Sequence, residues 1–148
     1  MTDTLLSSMH ISAAGMSAQR TRMETIAENI ANAESTRGDN GGPYQRREVV
    51  FQSIPAGQRF PDVFSASLKQ QKPSTVKVSG VVRDTRPFRK VYDPSHPDAD
   101  AQGMVRMPNV NPIEEMVDMA SATRGFEANV TAAEASKRMF LKSLDLLR

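Results

Sequence analysis

His10 and His96 are the only imidazoles in this 148-residue chain. His96 lies in Asp93-Pro94-Ser95-His96-Pro97-Asp98-Ala99-Asp100, where nitrogen and oxygen donors cluster as they do in a cation-binding loop. The spacing fails the EF-hand test. With Asp98 as first ligand, Asp100, Gln102 and Gly103 fit the early positions, but the twelfth is Asn109 rather than the required Glu. The prolines favour a rigid turn. His10 has no acid within one helical turn and reads as a surface or packing residue. The carboxylate pairs Glu114/Glu115 and Asp98/Asp100 suit helix capping and turn formation better than acid–base catalysis. With no Cys, disulfides, thiolate metal sites and cysteine nucleophiles are excluded. The chain also lacks a nucleophile elbow, a Walker loop and a dinucleotide fingerprint. These residues predict no enzyme, no cofactor and no metal.

The composition points away from a substrate-enclosing core as well. Hydrophobic residues make up 39% and aromatics 5%, with no Trp, which leaves little material for a large globular interior. Net charge is +2 but unevenly spread: −2 over residues 1–36, +5 over 37–111 and −1 over 112–148. The basic middle is dispersed among acids and carries neither an aromatic RNA-binding strand nor a recognition-helix pattern, so no nucleic acid is expected. No stretch reaches transmembrane length, and residues 1–12 lack the basic and apolar regions of a cleaved signal.

What the sequence does hold is two long helical patterns, one at each end. Residues 4–34 have no interior Pro and are rich in Ala, Met, Arg, Glu and Gln. Thirty-one residues make a rod of about 46 Å. Leu5, Ser12, Gln19, Ile26 and Ala33 repeat every seven residues, interleaved with Met9, Met16, Met23 and Ile30. From Pro112 to Arg148 a second helix of about 55 Å is expected. Asn111 is its N-cap, Pro112 its first position and Glu114 its capping-box residue. Its columns are Met119, Phe126, Ala133, Phe140, Leu147 and Met116, Thr123, Val130, Lys137, Leu144. A 4-3-4-3 repeat places a narrow seam on one side of a helix, and a seam needs a partner helix. Nine Met, mostly in these ends, suit an adaptable interface or simply fill seam positions as Leu would. Gly15 is read as a point of close approach by a neighbouring helix, and Asn32 as the stop, closing the first helix in a left-handed conformation.

Between the helices the chain is polar and rich in turn residues. Short strands are expected at 44–51, 75–82, 87–92 and 103–107, forming a small antiparallel hairpin or sheet. Residues 53–75 read as a loop or loosely docked arm. The fold class is therefore mainly α with a small β part: long terminal helices packing as a coiled coil around a short antiparallel hairpin or sheet region. Three segments follow: an N-terminal axial helix (1–36), a middle β/loop region (37–110) and a C-terminal axial helix (111–148).

The motifs carry a resemblance. Ile11-Ser-Ala-Ala-Gly-Met-Ser-Ala-Gln19, Ile26-Ala-Glu-Asn-Ile-Ala-Asn32 and Ser35-Thr36 resemble the N-terminal signature of bacterial flagellar rod and hook proteins. Gly42-Pro-Tyr44, Val91-Tyr-Asp-Pro-Ser-His-Pro-Asp-Ala99 and Gly103-Met-Val-Arg-Met-Pro-Asn-Val-Asn111 narrow it to the proximal rod. So do Glu114-Glu-Met-Val-Asp-Met119 and Arg124-Gly-Phe-Glu-Ala-Asn-Val130. Only residues 53–75 match loosely, while Pro112, Gly125 and Phe126 depart from the family's commoner Val, Ala and Tyr.

The resemblance implies a structural subunit of the flagellar basal-body rod, polymerising through its terminal helices and transmitting torque from motor to hook and filament. It implies a periplasmic location and export through the flagellar type III apparatus without a cleaved signal. Implied partners are copies of itself, other rod proteins, the MS-ring/rod adaptor and the LP-ring surroundings, without direct membrane insertion. The expected subunit-interface residues on the first helix are Leu5, Met9, Ser12, Gly15, Met16, Gln19, Met23, Ile26, Asn29, Ile30 and Asn32. On the second they are Met116, Met119, Thr123, Phe126, Glu127, Asn129, Val130, Ala133, Phe140, Leu144 and Leu147. Helical ends short of partners are expected to be largely disordered before assembly. The rival readings are a self-contained cytoplasmic coiled-coil adaptor and a small metal-dependent enzyme built on His96, Asp98 and Asp100.

Overall fold

The structure, a computed structural model, describes residues 2–38, 41–55 and 74–145, with the side chains of the first helix from Leu6 onward. Helix α1 spans Thr2–Ala31 and helix α2 spans Pro112–Asp145. Between them lie β1 (Arg47–Pro55), β2 (Ser74–Arg83), β3 (Arg89–Tyr92) and β4 (Met104–Met107).

Each helix end follows from local chemistry. Asn111 Oδ1 accepts the Ile113 amide at 3.2 Å, satisfying a donor that the helix start leaves open, and Pro112 takes the first helical position, where a missing N–H costs nothing. At the other end of the connection, Asn32 stops α1 as expected but by a different device. Its Nδ2 donates to the Glu28 carbonyl at 2.9 Å, and no described residue other than glycine has a positive φ. The Asn32 side-chain amide thus joins its own backbone N–H, at 3.1 Å, on the Glu28 carbonyl, and no left-handed turn is involved.

The strands form two separate antiparallel ribbons instead of one sheet. In the first, the pairing runs from Arg47↔Arg83 to Pro55↔Ser74, with a bulge that leaves Ser79 as an extra residue between Val50↔Gly80 and Phe51↔Val78. The second pairs Arg89↔Met107 through Tyr92↔Met104. Its connection folds back on itself at Gly103, whose φ of 74° favours glycine and where an added Cβ would lie 2.9 Å from the Tyr92 ring. Two-stranded ribbons need support, and the first finds it on α1, which both β1 and β2 contact. Of the segment read as a loop, 53–55 and 74–75 belong to β1 and β2, and 56–73 lies outside the described residues.

The two helices run antiparallel along one another. Ser8 Oγ donates to Ser136 Oγ at 3.1 Å, Thr123 Oγ1 lies 3.6 Å from Met23 Sδ, and Asn29 Nδ2 donates to Glu115 Oε2 at 3.0 Å. A Cβ added at Gly15 would stand 2.7 Å from Asn129 Oδ1, and one at Gly125 would stand 3.1 Å from Gln19 Nε2. The close approach expected at Gly15 therefore comes from the chain's own second helix. The seam of α1 is partly covered within the chain: Ser12, Ile26 and Ala33 are buried, Met9, Met16, Gln19, Met23 and Ile30 are half-buried, and Ala18 and Asn29 beside them are buried too.

One column of α2 differs from its sequence reading. The positions packed most closely on α1 are Glu115, Ala122, Asn129 and Ser136, one position earlier than Met116, Thr123, Val130 and Lys137, of which Thr123 still reaches Met23. Met116 is 59% exposed, and Lys137 and Leu144 also face outward. Closely packed helices require small or hydrogen-bonded side chains between them. Ala122 and Ser136 meet that requirement and bulky apolar residues do not.

Candidate functional site

The α1–α2 contact is anchored at one end by a buried polar junction. Asn29, fully buried, lies near the end of α1 and has every hydrogen-bonding position filled. Nδ2 donates to the Arg47 carbonyl at 2.8 Å and to Glu115 Oε2 at 3.0 Å. Oδ1 accepts the Tyr44 hydroxyl at 2.9 Å and the Arg47 amide at 2.9 Å. Glu115, in the first turns of α2, is 0% exposed. Its second oxygen accepts Arg46 Nε at 2.6 Å. A carboxylate so buried persists only when paired and bonded, and here it is both.

Arg46, immediately before β1, collects the surrounding acids. Besides Glu115 it lies 3.6 Å from Glu48 and Asp84 and 3.7 Å from Asp118. Burial alone would lower its pKa, but the bond to Glu115 and the charges of Glu115, Glu48 and Asp84 raise it overall. Tyr44 is pushed up, first by burial and then by the Glu28 charge. Asp84 is held below the usual carboxylate range, first by the Arg86 backbone amide. Asn109 ties in the segment before α2: its Oδ1 accepts the Arg46 amide at 2.8 Å and its Nδ2 donates to Asp84 and Arg86 carbonyls. The junction thereby fastens α1, the start of β1, the end of β2 and the start of α2 together.

The acids of the Asp93–Asp100 loop are engaged in structural bonds. Asp98 accepts Thr36 Oγ1 at 2.8 Å and Arg37 Nε at 2.7 Å, and its pKa is lowered chiefly by the Arg37 bond. Asp100 accepts the Gln102 and Met104 amides, and Asp93 accepts those of Ser95 and its hydroxyl. Among the described residues no three His, Asp or Glu side chains converge as a metal site would need.

The expected interface residues divide into three groups. Ser12, Ile26 and Asn29 are buried inside the chain. Met9, Gly15, Met16, Gln19, Met23, Ile30, Asn32, Met119, Thr123, Phe126, Asn129, Val130, Ala133 and Phe140 are half-buried. Met116, Glu127 and Leu144 are exposed. Leu147 and the Leu5 side chain lie outside the described residues. Sequence reasoning gave Glu115 only a helix-start role and Tyr44 only a strand position, and did not single out Arg46, Ala122 or Ser136; these residues carry much of the in-chain packing and bonding. The seven-residue spacing of 115, 122, 129 and 136 was itself the available signal. Other large apolar side chains face outward beyond those expected: Leu6, Ile113, Val117, Met139 and Leu141. No helix among the described residues is long and apolar enough to cross a membrane.

A stem of two terminal helices with apolar side chains left outside it has the form of an assembly subunit. Family models agree at both ends. Residues 9–38 match "Flagella basal body rod protein", and residues 101–146 match "Flagellar basal body rod FlgEFG protein C-terminal". The class is that of flagellar rod proteins. Over nearly its whole length the chain is similar to proteins named flagellar basal-body rod protein FlgC. It is 42% identical to that of Bacillus subtilis, covering 97% of this chain and 98% of the relative. It is 39% identical to that of Borreliella burgdorferi (97% and 98%) and 38% identical to that of Salmonella typhimurium (96% and 97%). The chain belongs to the FlgC family of basal-body rod proteins and is a structural rod subunit.

Proposed function

We propose that this chain polymerises with copies of itself and with other rod proteins into the periplasmic proximal rod, where it passes torque from the motor to hook and filament. In this reading α1 and α2 pack as an axial coiled coil. The ribbons form the outer part, meeting the MS-ring/rod adaptor or the LP-ring surroundings. The subunit reaches its place through the flagellar type III export apparatus without a cleaved signal, and it catalyses nothing. The observation that carries the reading is the outward apolar set on α2. Ile113, Met116 and Val117 remain 74%, 59% and 65% exposed while Glu115 and Ala122 of the same helix are buried against α1. Burying such side chains against neighbours contributes roughly 1.5–3 kcal/mol each, and many small contacts distributed along a rod resist twisting. The expected interface residues on the α1–α2 seam then act indirectly, by shaping the stem, while the outward residues meet neighbours.

Met116→Asp tests this in a flagellated host lacking its own copy of the protein. The substitution leaves the chain's internal packing intact, so the subunit accumulates and is exported, but basal bodies lack a completed rod and cells do not swim. Normal motility with Met116→Asp and with Val117→Asp would overturn the reading.

A further inference from the structure

The α1–α2 pairing contains two columns with very different information content. On the apolar side, the half-buried residues Met9, Met16, Met23 and Ile30 of α1 and Met119, Phe126, Ala133 and Phe140 of α2 each repeat every seven positions. Sliding one helix by seven residues along the other keeps apolar side chains opposite one another, and Ala133 is the one position where their size changes greatly. Away from Ala133, that column does little to distinguish the observed register from its neighbours. The second column is different. Ser8 is bonded to Ser136, Gly15 leaves the space filled by Asn129, and Asn29 is bonded to the fully buried Glu115. Each step of seven forward on α1 matches a step of seven back on α2, with Arg22 level with the fully buried Ala122. Every rung is a different pair.

A slip in one direction sets Asn29 against Ala122 and carries Glu115 beyond the end of α1, away from both Asn29 and Arg46. A slip in the other sets Arg22 against Glu115 but moves Asn129 from the Gly15 hollow to Ser8 and leaves Asn29 facing Pro108. Both strand buried polar groups that are fully bonded in the observed arrangement. We infer that the column Ser8–Ser136, Gly15–Asn129 and Asn29–Glu115 is a register lock, which holds the helix pair to one of several heptad settings that its apolar column would accept. Since Arg46 and Arg47 extend the last rung into β1, the lock also fixes where the first ribbon sits along the stem.

The chain has no cysteine, so disulfides can be introduced as reporters. Seven helical residues span about 10 Å, beyond the roughly 7 Å between Cα atoms that a disulfide bridges. In the purified full chain, S8C/S136C reports the observed register and S8C/S143C the slipped one, read as intrachain closure on non-reducing gels. The observed pair should close at least about ten times more than the slipped pair. Adding Asn29→Ala with Glu115→Ala should lower S8C/S136C closure and bring S8C/S143C to within about two-fold of it, with helix content retained by circular dichroism. An unchanged ratio in that helical variant overturns the lock, as does equal closure of both pairs in the otherwise unaltered chain. If the double variant loses its helix, Glu115→Gln, which keeps the size of the side chain and weakens only its charge pairing, decides. Slipped closure should rise several-fold, and no rise refutes the inference.

Discussion

Glu115→Ala should destabilise the chain far more than its neighbour Glu114→Ala. The two glutamates are adjacent in sequence and identical in charge, yet Glu114 is exposed, with Arg86 at 3.8 Å, while Glu115 is fully buried against Arg46 and Asn29. Removing one partner of a buried ion pair costs about 3–5 kcal/mol, because the charge left behind is uncompensated. Loss of the Asn29 bond adds about 1 kcal/mol. Two features pull the total down. Arg46 keeps Asp84, Glu48 and Asp118 within 3.6–3.7 Å, and its side chain is 13% exposed, so water reaches part of the guanidinium. A net loss of about 3 kcal/mol follows, against about 0.5 kcal/mol or less for Glu114→Ala.

Urea unfolding of the full chain, followed by far-ultraviolet circular dichroism, measures both. The midpoint of Glu115→Ala should fall well below that of the parent with a similar slope, since the folded state loses a bond network and not a domain. Glu115→Leu combined with Arg46→Met should recover much of the loss by replacing a charged pair with apolar packing. A Glu115→Ala variant within 1 kcal/mol of the parent, or a Glu114→Ala variant equally damaged, would refute the account of the junction.

Gly15→Leu should cost about 1–3 kcal/mol in the same assay, because its side chain would need the space Asn129 occupies; Gly15→Ala should cost less, since the Asn129 amide can swing aside. Gly103→Ala should cost about 1–2 kcal/mol through its φ of 74° and the Tyr92 ring beside it, and wild-type thermal stability in this variant would contradict the turn geometry. Stability should fall on acidification. Asp84 and Asp98 titrate below their ordinary 3.8 in the folded chain, held down first by the Arg86 amide and the Arg37 bond respectively. The unfolded chain then binds more protons, so the stabilisation is present above about pH 4 and is lost as pH falls through the folded values. Asp98→Asn should flatten part of that acid slope in a pH-dependent unfolding series, and an unchanged slope would exclude its contribution.

The sequence made the helices and strands legible because their signals are local. Asn111-Pro112 marks a helix start whatever surrounds it, and Val76, Val78 and Val82 alternate within one short run. Residue Gly15 was also legible, since a glycine inside a strong helix former has few other uses. What escaped was the identity of the face between the helices. The seven-residue spacing marks Met116, Thr123 and Val130 as one column of the seam, whereas the closest packing runs one position earlier. Gly15 and Gly125 bring the helices close enough there that Asn129 and Gln19 fill the space. The junction was illegible for another reason. Asn29, Arg46 and Glu115 are far apart in the chain, and nothing in their own neighbourhoods says that they meet.

That division of labour between columns has a physical rationale for a subunit that must both keep its own shape and join neighbours. A seam of small and hydrogen-bonded residues is specific: Asn29 and Glu115 satisfy each other and gain little from any apolar surface. Ile113, Met116 and Val117 have the opposite character, with no directional requirement and a large area to bury. If the assignments were exchanged, the chain would close on a greasy seam open to slippage and would present Asn and Glu outward, where water already satisfies them. With polar pairs inside the stem and apolar side chains outside, the pairs that define the internal register all lie within one chain. The outward face can then tolerate several similar partners without endangering the fold, and Met, with its adaptable side chain, suits it well.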